Sequence, residues 1–337
     1  MLSSNISNRL SNRGNVLPML ILLASLLSIF QLKTEYRIAS TEVPAVNGGD
    51  AMQSANSGDL RAHHVQNAVE HDERDSDMTV PSMEESSTST SNQRKTHMYT
   101  FFERIDASAR STGMSDERDN EMIAIWKEEW QAAGFAVKIL TMQDAKNHPK
   151  FLEFQQQLQK VSLNTPTKIY NQMCYYRHLA MASVGGGFMS DYDVLPIINN
   201  ATTVLLPMHI SDDSEVVVYS ATPSEGGIPC LMSGSAVKWE RLAFALLESG
   251  IRHPDERLWS DMFAMIDIRD SSLYKLNDSV IKFGASDDAN PSRCDKIRNK
   301  VAIHFSHHGL KEVQKSANDR PDVARQWLQD WKASCSE

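Results

Sequence analysis

The residues best equipped for chemistry are two carboxylates, Asp191 and Asp193, set one residue apart in the run GGGFMSDYDVLP directly after an apolar, glycine-led stretch. Read as a strand from Phe188 to Asp193, the segment sends both side chains to one face, about 7 Å apart along the chain. Like charges facing one spot repel unless a cation lies between them, so the spacing predicts a divalent metal. A second set of donors comes late, where VAIHFSHHGLK offers His304, His307 and His308. Carboxylate and imidazole ligands with open positions suit an ion such as Mn2+, harder than a thiolate site would select and softer than the usual company of Mg2+. A diphosphate could fill the remaining positions, and the metal would neutralise it as a bond to it breaks. The same spacing in Asp75-Ser76-Asp77 lies in a polar tract with no strand or pocket to hold it, and predicts no site.

The elements that must position these groups follow from periodicity. HMYTFFERI, beginning at His97, reads as a first strand. Residues 115–133 then place Met122, Ile123, Ile125, Trp126 and Trp130 at helical spacing, Gly134 stops that helix, and Phe135 to Leu140 reads as a second strand. Strand, helix and strand with short connections begin an α/β layer fold. Helices are expected over 149–160 and 168–184, strands over 202–206 and 215–220, and helices over 237–249 and 254–266. Extended runs are expected at 280–283 and 300–304, before a closing helix over 322–332 that bears Trp327 and Trp331. The fold class expected is α/β, a mixed sheet flanked by helices. The segment GGIPCLMSGSAV, residues 226–237, reads either as a pocket wall, its small residues letting backbone approach a ligand, or as a loop entering a helix.

A chain of 337 residues with 41% hydrophobic content can bury a full core. Its net charge of −9 excludes a general nucleic-acid binder, although a nucleotide-sized anion remains compatible with a local metal. Residues 16–32, VLPMLILLASLLSIFQL, are uncharged and apolar, and follow Arg9 and Arg13. This predicts a single transmembrane signal anchor with a cytosolic N-terminus. The division expected is a cytosolic tail over 1–15, the anchor over 16–32, a disordered polar stem over 33–96 and a catalytic domain over 97–333. The short span suits thin membranes, so the expected placement is single-pass type II in the Golgi or endoplasmic reticulum, catalytic domain luminal. Cys174, Cys230, Cys294 and Cys335 lack C-x-x-C spacing, which argues against a zinc knuckle and leaves one or two disulfides open. The tripeptides at Asn200 and Asn277 are glycosylation sequons that agree with a luminal domain.

From Tyr170 through Arg177 and the glycines to Pro196, the chain resembles the DXD-bearing sugar-binding region of family 32 type glycosyltransferases, which also occurs in the large clostridial glucosylating toxins. Arg177, Met181, Gly185 and Gly186 match that pattern, whereas Cys174 stands where the family usually has an acid and a third glycine precedes the strand. The resemblance implies a GT-A type nucleotide-sugar-binding sheet, a Mn2+-dependent donor site and retention of anomeric configuration. It implies a hexosyltransferase moving sugar from a nucleotide-sugar to a glycan, protein or lipid acceptor. In that scheme Asp193 ligates the metal, and Asp191 meets the ribose or reaches the metal through water. Arg177 contacts the donor, with Gly186, Gly187 and Tyr192 beside it. His304 resembles the late histidine that completes the metal shell, His307 and His308 being alternatives, and Lys311 meets the diphosphate. Asp261, in ERLWSDMFAMID, resembles the acid that faces sugar and acceptor, and a structural role is its alternative. Two readings from other classes stand beside this one. The first is a luminal Ca2+-dependent carbohydrate-binding or adaptor protein that draws further oxygens from Asp212 and Asp213. The second is a metal-dependent hydrolase, which lacks the His-x-His such enzymes often carry.

Overall fold

Alternation along the strands decides the architecture. Met98, Phe188, Val217, Tyr219 and Leu231 pack into one apolar cluster, while their neighbours Tyr99, Met189, Val216, Val218 and Met232 pack into another. A sheet with both faces apolar must be covered on both sides. In the computed structural model, which describes residues 96–110, 113–197, 215–222 and 226–335, helices provide that cover.

The order is β1 (His97–Phe101), α1 (Asp116–Ala132), β2 (Ala136–Leu140), α2 (Met142–Lys146), α3 (Phe151–Leu158), α4 (Lys168–Ser183), β3 (Gly186–Ser190) and β4 (Val194–Pro196). It continues with β5 (Val216–Thr222), β6 (Gly226–Ser235), α5 (Ala236–Arg252), α6 (Asp261–Asp267), β7 (Tyr274–Leu276) and β8 (Val280–Lys282). The last elements are α7 (Cys294–Ile297), β9 (Ala302–His304), α8 (His307–Glu312) and α9 (Arg320–Cys335). Six strands form one sheet in the order β2-β1-β3-β6-β5-β7, and three form a second in the order β4-β9-β8. β1 runs parallel to both β2 and β3, while β6 is antiparallel to both of its neighbours. Trp126 and Trp130 of α1, Trp327 and Trp331 of α9, and the small sheet cover one face. Phe154, Tyr175, Trp239 and Leu246, from α3, α4 and α5, cover the other.

This topology singles out one place for a ligand. From β1 the chain goes to β2 on one side and reaches β3 on the other, so the carboxyl ends of β1 and β3 flank a crevice of the kind that binds ligands in open α/β sheets. Asp191 follows the last residue of β3.

Three expectations are corrected. The segment read as pocket wall or loop forms β6, a central strand, because its small residues allow the close pairing with β3. The helix expected over 254–266 begins only at Asp261, where the Ser260 hydroxyl accepts from Phe263 N–H as an N-cap. The membrane anchor, with the type II placement in the Golgi or endoplasmic reticulum built on it, is corrected as well. No helix among the described residues is long and apolar enough to cross a membrane. Even α1 and α5, at 17 residues each, are short of a span and carry charged side chains along their length. Residues 16–32, most of the expected stem, and the expected strand over 202–206 lie outside the described residues, as does Asn200.

Candidate functional site

β3 ends at Ser190 and β4 starts at Val194, so Asp191-Tyr192-Asp193 is a turn, which corrects the strand reading. The Asp191 N–H donates to Cys230 O at 2.8 Å, and the Val194 N–H closes the turn on Asp191 O at 3.0 Å. Helix α1 then pins it at three points. Trp126 Nε1 donates to Ser190 Oγ at 2.8 Å, Trp130 Nε1 to Val194 O at 3.0 Å, and the Tyr192 hydroxyl to Asp119 Oδ1 at 2.9 Å. A turn fastened at both ends and in the middle orients its two acids without relying on strand geometry.

The late histidine arrives through the small sheet. Val194 and His304 are register partners in the antiparallel β4–β9 pair, and Phe305 N–H donates to Asp193 O at 2.9 Å. One ligand atom each from Asp191, Asp193 and His304 therefore falls within 4.8 Å of the others, a group that could hold a metal ion. His304 Nε2 lies 3.4 Å from Asp193 Oδ1. Two carboxylates and an imidazole are a donor set fitted to a divalent ion of intermediate hardness.

Each acid also has a guanidinium. Arg177 donates from Nη1 to Asp191 Oδ1 at 2.7 Å and from Nη2 to Asp261 Oδ2 at 2.6 Å. The His178 ring approaches the same Asp261 oxygen at 3.2 Å. On the other side, Arg320 Nη1 lies 3.0 Å from Asp193 Oδ2. Burial pushes Asp191 up to about 6, with Arg177 opposing and Asp193 adding to the rise. Burial would raise Asp193 too, but His304 and Arg320 outweigh it and hold that carboxyl below its ordinary value. Asp261 is likewise held low, because Arg177 and His178 outweigh its burial. For His304, burial is overcome by the neighbouring Cys230 sulfur and the Asp193 carboxylate, which lift the imidazole well above its usual range.

The remaining expected residues fall into two sets. Gly186 and Gly187 begin β3, at the end of the strand away from the acidic turn. Gly186 has φ +80°, and a Cβ there would come within 2.5 Å of Gly234 O, so backbone approach between β3 and β6 accounts for it. The Tyr192 hydroxyl is engaged by Asp119 and its ring meets Phe102 edge-on at 5.6 Å, so the side chain turns back toward α1 rather than to the acids. His307 is half-buried on α8 with Nδ1 unpartnered among the described residues, while His308 is exposed 3.3 Å from Glu312. Neither belongs to the convergent group. Lys311 is exposed on α8.

Three buried partners were not foreseen. Asp119 occupies the apolar stripe of α1 shared by Met122, Ile123, Trp126 and Trp130, and an acid on such a stripe is a legible signal. His178 adjoins Arg177. Arg320 opens α9 with nothing in its neighbourhood to announce burial.

A family model described as a domain of unknown function (DUF8765) matches residues 77–212, less than half of the chain. The matched span includes Arg177 and the acidic turn, and excludes Asp261, His304 and Arg320. No curated protein matches. Among solved structures, the chain is similar to a glycosyltransferase involved in the glycosylation of the major capsid of PBCV-1. The likeness has 11% identity and a TM-score of 0.38, over 68% of this chain and 98% of that one. At that score it supports no conclusion about fold or activity. Neither comparison bears on the resemblance to family 32 type enzymes or clostridial toxins.

Proposed function

We propose that this chain is a metal-dependent glycosyltransferase that moves a sugar from a nucleotide-sugar donor to a glycan, protein or lipid acceptor. The observation that carries the proposal is the convergence of Asp191, Asp193 and His304 within 4.8 Å at the carboxyl end of β3. A bound Mn2+ or similar ion would supply Lewis-acid stabilisation of the donor diphosphate. Asp191, Asp193 and His304 are assigned to hold it, and His304 must give up its proton to do so. Lys311, exposed and unencumbered by a carboxylate among the described contacts, is assigned to the diphosphate. Arg177 is assigned to the donor and to the alignment of Asp191.

Retention of configuration is the stereochemical outcome we assign. Asp261 Oδ2 already accepts from Arg177 and is met by His178, and a carboxyl held below its ordinary value is a weak base. The acceptor proton is then left to the departing diphosphate on the same face of the sugar, and Asp261 keeps Arg177 in place. The calcium-binding alternative is not favoured by a set that includes an imidazole and commits one oxygen of each turn aspartate to an arginine.

The test is turnover of a panel of nucleotide-sugars by the full chain with Mn2+, with the anomeric configuration of fresh product read by nuclear magnetic resonance. Activity lost in chelator and in Asp193→Ala, with a retained product, is expected. No binding or turnover of any donor with any divalent metal, or turnover indifferent to chelator, would overturn the assignment.

A further inference from the structure

Arg320 is 2% exposed at the first residue of α9, and its Nε is buried without a hydrogen-bond partner among the described residues. Local structure does not explain it. A guanidinium taken out of water is costly, and the N-terminal end of a helix is the wrong end for a cation. Its ion-pair partner is Asp193, whose Oδ2 it meets at 3.0 Å while Oδ1 faces His304; the buried Asp119, itself paired with Arg110, also lies within electrostatic reach and leaves the balance at the turn unchanged. Arg177 stands in the same relation to Asp191 from the opposite side of the turn, and shares itself with Asp261.

The charges then nearly cancel. With His304 neutral, as a ligand must be, Asp191, Asp193 and Asp261 set against Arg177 and Arg320 leave one net negative charge facing a divalent ion. Adding the ion leaves one net positive charge, complementary to a diphosphate. We propose that Arg320 is a positioning residue that couples metal to diphosphate. By occupying Asp193 Oδ2 it leaves Oδ1 for the ion, keeps the metal weakly held by itself, and makes tight binding wait for the anion. This rests on the transferase reading of the same site.

The test titrates the full chain with Mn2+ alone and with the preformed Mn2+–pyrophosphate complex, by calorimetry, in wild type, Arg320→Gln, Arg320→Lys and Asp193→Ala. In Arg320→Gln, Mn2+ alone should bind about tenfold more tightly, because a cation beside a ligand carboxylate is gone, and the pyrophosphate complex several-fold more weakly. A gain in metal affinity is a change that damage to the fold does not produce. Arg320→Lys keeps the charge and should stay within about twofold of wild type for Mn2+ alone. Should Arg320→Gln fail to fold, that lysine variant decides: a loss of about tenfold or more in Mn2+ affinity would mean the fork, not the charge, matters, and would sink the coupling role. Arg320→Gln binding Mn2+ no tighter than wild type would do the same. Those outcomes leave the transferase reading intact provided wild type binds the pyrophosphate complex and Asp193→Ala does not. Absence of binding in wild type under both conditions defeats both.

Discussion

Asp191 and Asp193 are identical in chemistry and a single residue apart, yet the two regions that meet on them treat them in opposite ways. From the side of α4 and α6, Asp191 receives half of one arginine, the other half going to Asp261, and its side chain stays 33% exposed. From the side of β9 and α9, Asp193 receives a histidine and a whole arginine, at 11% exposure. Burial lifts the first carboxyl to about 6, and the surrounding cations hold the second below its ordinary value. The difference teaches that the two acids are not interchangeable: Asp193 is a structural counter-ion as well as a candidate ligand, and Asp191 is closer to a ligand alone.

The sharpest way to break this contrast is to delete each acid in turn. Asp193→Ala should abolish transfer and also destabilise the metal-free chain by about 3–5 kcal/mol, since it strands Arg320 and leaves His304 without its carboxylate. Asp191→Ala should cost only about 1 kcal/mol in the same denaturation experiment, because Arg177 keeps Asp261. Equal costs would erase the distinction between the two regions. Next in size, Asp261→Asn frees half of Arg177 and should lower turnover by about a hundredfold or less, whereas a near-complete loss with an inverted product would make Asp261 the general base.

The pH dependence sharpens the contrast at smaller amplitude. A folded-state value near 6 means that metal-free Asp191 binds its proton more tightly than the unfolded chain does, so its contribution to stability is lost as pH rises through 6. The proton also competes with metal. Below pH 6, where His304 is already protonated, Asp191 should add a further loss of up to about tenfold per unit in Mn2+ affinity, with proton release from both groups seen as buffer-dependent calorimetric heat. Asp191→Asn should flatten that dependence, whereas Asp193→Asn, which removes a charge that adds to the rise, should shift it to lower pH. Smallest of all, Tyr192→Phe removes one bond to Asp119, which keeps its ion pair with Arg110 at 2.6 Å. A loss of about 1 kcal/mol in stability and a few-fold loss in metal affinity is expected.

The same contrast separates what the sequence made legible from what it hid. α1, β1, β2, α4 and α5 follow from apolar periodicity and glycine stops, and they lie close to where that periodicity puts them. The convergence of His304 on the two aspartates depended on a resemblance, since its physical cause is the β4–β9 register, a pairing of strands far apart in sequence. β6 was hidden because glycine, serine and proline lower strand propensity, although a central strand flanked closely on both sides needs such small residues. Arg320 was hidden for a different reason: nothing local distinguishes an arginine that will be buried against an acid from one that will be solvated. The three glycines, in contrast, were conspicuous for a reason unrelated to chemistry, all having positive φ where α4 passes into β3.

The disulfide between Cys294 and Cys335, which encloses a separation of 41 residues, carries a consequence for the growing chain. A ribosome delivers the acidic turn, Arg177 and the large sheet first, and β9, α8 and α9 last. Until the final stretch is made, β4 is an open edge and Asp193 has no cation beside it. Long-range pairings of this kind form late, after loop closure has been met by other contacts. A chain halted before β9 would therefore hold an ordered large sheet, yet present a sticky strand edge and a bare carboxylate. Closing Cys294 onto Cys335 ties α9 to the segment that precedes β9, so only chains that extend through α9 can seal that seam.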